Sequence, residues 1–165
     1  MFMENLKKFY MEKYDMSSID AKYNMFFDKI HHNQVVGIKL SNTIADSNFY
    51  LFDCKDKDSL NMNPIAQIKF QLLEDGTVFI RRLEFINNNY KGKGYASKLI
   101  SLFEKFCIKN GYEKILGEFD PLHGESEETV KNFYLRNNYE FKNISNKLHI
   151  YKLLKQNINN ENLEF

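Results

Sequence analysis

The 165-residue chain has two cysteines, no tryptophan, no long apolar run and no excess of charge of either sign. Cys54 and Cys107 show no metal-ligand spacing and cannot build a disulfide framework, which favours a reducing compartment. No stretch approaches the roughly 20 apolar residues that a transmembrane helix needs, and the first residues lack the pattern of a signal peptide. The formal net charge of +1 gives no general attraction to nucleic acid or to anionic membranes. We therefore expect a cytoplasmic protein that binds neither nucleic acid nor membrane.

The chain does contain enough apolar residues for one folded domain. Hydrophobic residues make up 43% of the sequence and aromatic residues 15%, which argues against disorder. The length suits a single domain with a sizeable core. Because there is no internal repeat and no linker, we predict one domain over residues 1–155, followed by a polar tail over 156–165.

The first half of the chain is predicted to form two helices and then an antiparallel meander. Residues 4–16 and the segment from Ile19 to Ile30 have apolar side chains at helical spacing. Four strand candidates follow, at residues 35–40, 49–52, 65–73 and 77–86. Their connections are too short for crossover helices, so we expect these strands to pair antiparallel.

The second half of the chain alternates strands with helices. One helix is predicted from Tyr95 to Asn110, with Gly111 at its end, and another from Ser126 to Asn137. Strand candidates are residues 114–119, 139–141 and 148–154. This order predicts an α+β fold, with a mixed, mainly antiparallel sheet that contains one central parallel strand–helix–strand crossover.

The most informative segment is the glycine-rich turn Lys91–Ala96. It follows a predicted strand and opens a predicted helix, so free backbone N–H groups and the positive end of the helix dipole meet there. Lys91, Lys93 and Lys98 add positive charge, which favours a phosphate site over a turn that needs glycine only for its shape. The spacing is not that of a P-loop, and Ser97 stands where a dinucleotide-binding fingerprint has its third glycine.

Two parts of the chain, residues 83–96 and 130–141, resemble motifs of the GNAT superfamily of acyl-CoA-dependent N-acyltransferases. Lys91-Gly92-Lys93-Gly94-Tyr95-Ala96 is similar to the family signature Q/R-x-x-G-x-G/A, with lysine at the first position. Leu83-Glu84-Phe85 resembles the family's L-x-V strand before that loop. The segment from Val130 to Phe141 resembles the A-x-x-F-Y-x-x-x-G-F pattern, with Asn138 in place of the glycine. The resemblance implies a GNAT-like sheet with helices on both faces.

The resemblance also implies a cofactor, acetyl-CoA, which serves as the acyl donor, and it implies no metal. Backbone groups near Phe85 and Ile86 would pair with the pantetheine arm and orient the thioester, while the loop amides would hold the pyrophosphate. The cofactor-binding residues that it implies are Phe85, Ile86, Lys91, Gly92, Lys93, Gly94, Tyr95, Ala96 and Ser97.

The expected chemistry is direct attack of a primary amine on the thioester. Neither cysteine lies beside a histidine or at a helix start, so a covalent acyl-enzyme is not indicated. Tyr134 matches the family's general acid, since a phenol of pKa about 10 is protonated at neutral pH and can donate to a thiolate. Alternatively, Tyr134 is an ordinary core aromatic.

A carboxylate is the expected general base, acting through water. The candidates are Glu84 on the strand beside the thioester and Glu118 on the neighbouring strand. Either one could instead be solvated or ion-paired, and Arg82 lies two residues from Glu84 on the same strand face. A lone histidine after the central strand, His123, is a weaker candidate for a role on the substrate side.

The sequence therefore predicts an N-acetyltransferase, with a non-catalytic acyl-CoA-binding or partner-binding GNAT-like module as the alternative. A nucleic-acid-binding domain would depend on Arg81, Arg82 and the loop lysines, and the near-neutral charge speaks against it. The acceptor is expected to be a small-molecule or peptide amine. The sequence also leaves open whether the protein forms a homodimer.

Overall fold

The computed structural model describes residues 23–29, 34–41, 46–53, 64–121 and 124–155. Within these residues the chain forms eight strands, two α-helices and one turn of 3-10 helix. In chain order these are β1 Tyr23–Lys29, β2 Gln34–Ser41, β3 Ser47–Asp53, β4 Pro64–Leu72, β5 Thr77–Phe85, the 3-10 turn Asn88–Tyr90, α1 Tyr95–Lys109, β6 Lys114–Glu118, α2 Glu127–Arg136, β7 Glu140–Ile144 and β8 Lys147–Leu153.

The strands form one sheet in the order β1-β2-β3-β4-β5-β6-β8-β7. The first five strands pair antiparallel with their sequence neighbours. Helix α1 then crosses over to β6, which pairs parallel to β5, and the β7–β8 hairpin adds to the far edge of β6 through β8. The predicted meander, the parallel crossover and the α+β class are thus confirmed.

The prediction of a helix from Ile19 to Ile30 was wrong where the structure can be compared with it. Tyr23–Lys29 is strand β1, paired antiparallel with β2 from Tyr23 opposite Ser41 to Lys29 opposite Val35. Aromatic residues such as Phe26 and Phe27 suit a strand as well as a helix, so a short apolar segment cannot be assigned by spacing alone. The segment forms a strand because it pairs with β2, and the spacing of apolar residues does not predict such pairing.

Other predictions fall on residues outside those described. These are the helix over residues 4–16 and the polar tail over 156–165. Whether helices cover both faces of the sheet depends in part on that N-terminal segment. In the part of the chain that the structure describes, no helix is long and apolar enough to cross a membrane.

Helix α1 builds the core against the middle of the sheet. Its buried residues are Leu99, Ile100, Leu102, Phe103, Phe106 and Cys107, which follow the predicted helical stripe closely. The Phe103 ring centroid lies 5.4 Å from that of Phe49 on β3 and 5.0 Å from that of Phe70 on β4, both in edge-to-face geometry. Cys107 is fully buried, as expected for a small apolar filler, and burial raises the pKa of its thiol.

Strands β5 and β6 separate at one end, and this separation positions the site. Their parallel pairing covers only Thr77–Ile80 opposite Lys114–Gly117. At that point β5 contains an extra residue, because Lys69 pairs with Arg82 and the next β4 residue, Phe70, pairs with Ile80. Such a bulge bends and twists its strand. Beyond it, β5 stays paired to β4 as far as Phe85, so a wedge opens between β5 and β6.

Candidate active site

The glycine-rich loop joins the open end of β5 to α1. Gly92 has φ +74° and Gly94 has φ +83°, a left-handed conformation that glycine adopts without a steric cost. Gly94 is the N-cap of α1 and offers no side-chain hydrogen bond to the first turn of the helix. A Cβ added at Gly92 or Gly94 would meet no heavy atom of the described residues within 4 Å. The loop therefore leaves helix N–H groups beside open space, as an anion site requires.

A cavity of about 510 Å³ lies where this loop meets the wedge. Three segments form its walls: the end of β5, the loop with the first turn of α1, and the stretch from Gly124 through α2. The lining residues are Leu83, Glu84, Phe85, Lys91, Gly92, Gly94, Ala96, Ser97, Gly124, Glu125, Ser126, Thr129, Val130, Phe133, Tyr134 and Arg136.

Most of the residues predicted from the sequence lie on this cavity. Those that line it are Glu84, Phe85, Lys91, Gly92, Gly94, Ala96, Ser97 and Tyr134. Ile86, Lys93 and Tyr95 are not among the lining residues. The Ile86 side chain is exposed, Lys93 is exposed, and the Tyr95 ring packs edge-to-face on Tyr90 at 5.2 Å. The binding roles of all these residues stay predictions.

Beyond Ile80, the edge of β5 that faces away from β4 has no strand partner among the described residues. The Ile86 N–H donates to the Ile65 carbonyl of β4, with N and O 2.9 Å apart. Because successive residues of a strand direct their N–H groups to opposite edges, those of Phe85 and Leu83 face the side where β6 has moved away. An extended ligand with amide groups could therefore pair with β5 as a further strand would.

Tyr134 lies on α2, lines the cavity and is buried. Ser126 caps this helix by accepting a hydrogen bond from the Thr129 N–H, and the Tyr134 ring packs edge-to-face on Phe133 at 5.0 Å and on Tyr139 at 5.5 Å. Burial, and after it the negative charge of Glu125, raises the pKa of the Tyr134 phenol. The phenol is consequently protonated at neutral pH and well above it.

The end of α2 is fastened to the beginning of α1. The Asn137 side-chain amide donates to Ser97 Oγ at 3.2 Å and to the Phe133 carbonyl at 2.8 Å. Asn138 follows with φ +64°, the left-handed conformation expected of the residue that replaces the family's glycine. These contacts hold Tyr134 at a defined position relative to the loop.

Glu84 lies on the cavity wall and is held by three neighbours. It accepts a hydrogen bond from Gln67 Nε2 at 2.6 Å. Its carboxylate oxygens also lie 3.7 Å from Lys69 Nζ and 3.7 Å from Arg82 Nη1, so the predicted ion pair with Arg82 is confirmed. These contacts orient the carboxylate and use part of its capacity to accept hydrogen bonds.

The other candidates for a base lie elsewhere. Glu118 is exposed at the end of β6, 3.9 Å from Lys147 Nζ, and it is not among the residues that line the cavity. His123 falls outside the described residues. Among the residues that the structure describes, no group of three or more His, Cys, Asp or Glu side chains could hold a metal ion.

The sequence reasoning missed one wall of the cavity almost entirely. On α2 and its cap, the lining residues besides Tyr134 are Ser126, Thr129, Val130, Phe133 and Arg136. Most of them recur at intervals of three and four residues, which places them along one helix face. That spacing was visible in the sequence and could have identified the wall once Tyr134 was chosen.

Solved structures with similar architecture identify the fold. A protein of Klebsiella pneumoniae described as an acyl-CoA N-acyltransferase matches with a TM-score of 0.53 and 12% identity, over 93% of this chain and 89% of that chain. A protein of Desulfovibrio desulfuricans described as an acetyltransferase of the GNAT family matches with a TM-score of 0.52 and 9% identity, over 67% and 70%. The chain has the GNAT fold. This confirms the fold predicted from the two sequence motifs.

A third structure with similar architecture carries a ligand. The PaiA N-acetyltransferase from Thermoplasma acidophilum, in complex with coenzyme A, matches with a TM-score of 0.51 and 15% identity. The match covers 66% of this chain and 61% of that chain. No protein-family model and no curated protein matches the sequence. For this chain the GNAT fold is therefore evident from its three-dimensional structure and from the short motifs.

Proposed function

We propose that this protein is an N-acetyltransferase that moves the acetyl group of acetyl-CoA to a primary amine of a small molecule or peptide. One observation carries the proposal. A single cavity brings together the open edge of β5, the glycine-rich loop at the start of α1, and the buried phenol of Tyr134. These three groups would serve as a site for the donor's amides, a site for its anionic group and a proton donor.

The donor fits this arrangement by its chemistry. Coenzyme A has a pyrophosphate, which suits the free N–H groups and positive dipole at the start of α1. Its pantetheine arm has two amide groups, which suit the unpaired backbone of β5 near Leu83 and Phe85. The coenzyme A held by the Thermoplasma acidophilum protein supports the same class of donor.

The reaction forms a carbon–nitrogen bond and breaks the carbon–sulfur bond of the thioester. The amine attacks the carbonyl carbon, and the negative charge that develops on the oxygen is stabilised by a strand N–H such as that of Phe85. The thiolate then leaves, and the ammonium group gives up a proton. Glu84 accepts that proton through water, from a position on the cavity wall.

Tyr134 supports the departure of the thiolate. Its raised pKa keeps the phenol protonated, so it is always ready to donate a hydrogen bond to sulfur. A phenol of pKa about 10 is already a weaker acid than a thiol of pKa about 8.5, and the shift widens that difference, so complete proton transfer from Tyr134 to the thiolate is uphill. Its main contribution is accordingly a hydrogen bond to the developing charge, which burial strengthens.

A non-catalytic acyl-CoA-binding module is the second candidate. The observation that favours it is the state of Glu84, whose carboxylate already has three partners and is therefore less available as a base. Such a module would bind the donor in the same cavity without turning it over.

Two measurements test the proposal. Calorimetric titration with coenzyme A should show binding, and a thiol-release assay with acetyl-CoA across a broad panel of amines should show turnover with at least one of them. Binding without turnover for any amine would favour the module. If coenzyme A does not bind, both candidates are wrong.

A further inference from the structure

The Glu125 carboxylate shares the cavity with the loop to which the proposed function assigns the donor's pyrophosphate. Its Oε1 atom lies 3.7 Å from Nζ of Lys91, and both residues line the cavity. Of the lysines in the loop, Lys91 lines the cavity whereas Lys93 does not. The loop cation best placed for a phosphate is therefore already paired with an anion of its own chain.

The local structure holds Glu125 at this position. It directly precedes Ser126, the N-cap of α2, whose hydroxyl accepts the Thr129 N–H at 3.1 Å. Its charge also acts on Tyr134, whose pKa it helps to raise. Glu127, two residues later, differs: it pairs with Lys131 at 3.0 Å along the exposed surface of α2 and does not line the cavity.

We propose that Glu125 is an internal competitor for Lys91: it pairs with the lysine when no donor is bound and releases it to the pyrophosphate of the donor. The inference rests on the proposed function and adds to it a residue that sets the donor affinity. In the bound state Lys91 contacts phosphate oxygens, and the Glu125 carboxylate turns to solvent.

The energetics favour this exchange. The side chains of Lys91 and Glu125 are 45% and 31% exposed, and ion pairs between such partly exposed side chains are weak. A pyrophosphate carries more negative charge than one carboxylate and also accepts hydrogen bonds from the loop N–H groups. The donor therefore displaces Glu125 from Lys91. Because this breaks the Lys91–Glu125 ion pair, the donor binds less tightly than it would to a protein without that pair.

Calorimetric titration of coenzyme A into the full-length protein and its variants tests the inference. Glu125→Gln should bind coenzyme A about two- to fivefold more tightly than the wild-type protein, the factor that corresponds to losing the ion pair. The matched control is Glu127→Gln, which removes a carboxylate from the same helix start but away from the cavity. Its affinity for coenzyme A should equal that of the wild type.

A double-mutant cycle shows whether Lys91 carries the effect. In a Lys91→Met background, Glu125→Gln should no longer tighten binding, because there is no lysine left to release. An equal gain with and without Lys91 would mean that Glu125 acts by direct repulsion of the ligand, and the inference would be wrong. Pantetheine, which lacks the pyrophosphate, should bind Glu125→Gln and wild type alike, and an equal gain for pantetheine would also contradict it.

Failure of the proposed function and failure of the Glu125 inference give different binding results. If the wild-type protein does not bind coenzyme A, the proposed function and this inference are both overturned. If the wild type binds coenzyme A and Glu125→Gln binds it no more tightly, only the competition between Glu125 and the donor is ruled out.

Discussion

Tyr134 and Tyr139 are neighbouring buried tyrosines in different positions relative to the cavity. The rings lie 5.5 Å apart, and both are at most 8% exposed. Tyr134 lines the cavity and Tyr139 does not. This pair therefore allows a hydroxyl group in the site to be compared with one beside it.

Tyr134→Phe should lower kcat by about 10²–10³-fold, the usual contribution of one hydrogen-bond donor to charge that develops in the transition state. The dissociation constant of coenzyme A should change little, because the aromatic ring is kept. A thiol-release assay on a confirmed amine, together with calorimetry, measures both. Tyr139→Phe serves as the control and should keep the wild-type kcat. If Tyr134→Phe keeps the wild-type kcat, Tyr134 is only an aromatic residue of the core.

Gly94 offers a second test at the scale of one residue. Asparagine tolerates the left-handed conformation at φ +83°, so Gly94→Asn should fold with nearly unchanged stability. Its side chain would extend into the open space beside the loop, where the pyrophosphate is proposed to bind. We expect about a tenfold or greater loss of coenzyme A affinity, equivalent to about 1.4 kcal/mol.

Gly111→Asn is the matched control for that variant. Gly111 follows the other end of α1 with φ +80°, and a Cβ there also meets no described heavy atom within 4 Å. It is not among the cavity residues, so coenzyme A affinity should stay at the wild-type value. Equal affinities for the Gly94 and Gly111 variants would mean that the ligand does not approach the loop.

At the scale of elements, the separation of β5 and β6 is what opens the site. Gly117 lies on β6 opposite Ile80, the last β5 residue in the parallel ladder. A Cβ at Gly117 would stand 2.8 Å from the Ile80 carbonyl oxygen and 3.1 Å from Ile150 Cγ1. The two strands are in close contact here, immediately before they part.

Gly117→Ala should therefore be destabilising, by about 1–3 kcal/mol, the range for overpacking a well-filled interior. Urea unfolding followed by circular dichroism measures the change. Because the clash involves backbone, it can be relieved only by moving β5 or β6, and we also expect weaker binding of coenzyme A. Wild-type stability in this variant would contradict the close approach of the two strands.

Element prediction succeeded where local signals were strong. The Tyr95–Lys109 helix has a clear apolar stripe and glycines on both sides, and Ser126 has the side chain of an N-cap. Strand β1 was missed because its apolar residues fit both periods, and because its pairing partners on β2, from Val35 to Ser41, are not part of the segment whose period was read. Pairing of this kind depends on the whole sheet.

At the scale of the molecule, one aromatic cluster joins α1 to the sheet. Phe103 is fully buried and contacts Phe49, Phe70 and Phe106. Phe103→Ala should lower the free energy of unfolding by about 3–5 kcal/mol, which is a large part of the total for a domain of this size. Thermal and urea unfolding would measure this loss.

Leu135→Ala is the control for that substitution. Leu135 is 53% exposed on α2, so its loss should cost less than about 0.5 kcal/mol. Similar costs for the two variants would show that α1 is not packed on β3 and β4 as described.

The sequence alone determined the features that depend on near neighbours. Strand and helix periods and the left-handed position at Asn138 depend on side chains a few residues apart, whereas Tyr134 was chosen by its match to a family motif. Local sterics and hydrogen bonds act at that range, so a linear pattern records them.

Only the tertiary structure decided how these features combine. The wedge between β5 and β6 arises from a bulge and from pairings between distant strands, and it brings β5, the loop and α2 around one cavity. The same assembly places Glu125 against Lys91 and surrounds Glu84 with three partners. Arg82 is only two residues from Glu84, and the sequence indicated that pair. The other contacts join residues 15 to 34 positions apart, and only folding of the chain brings such residues together.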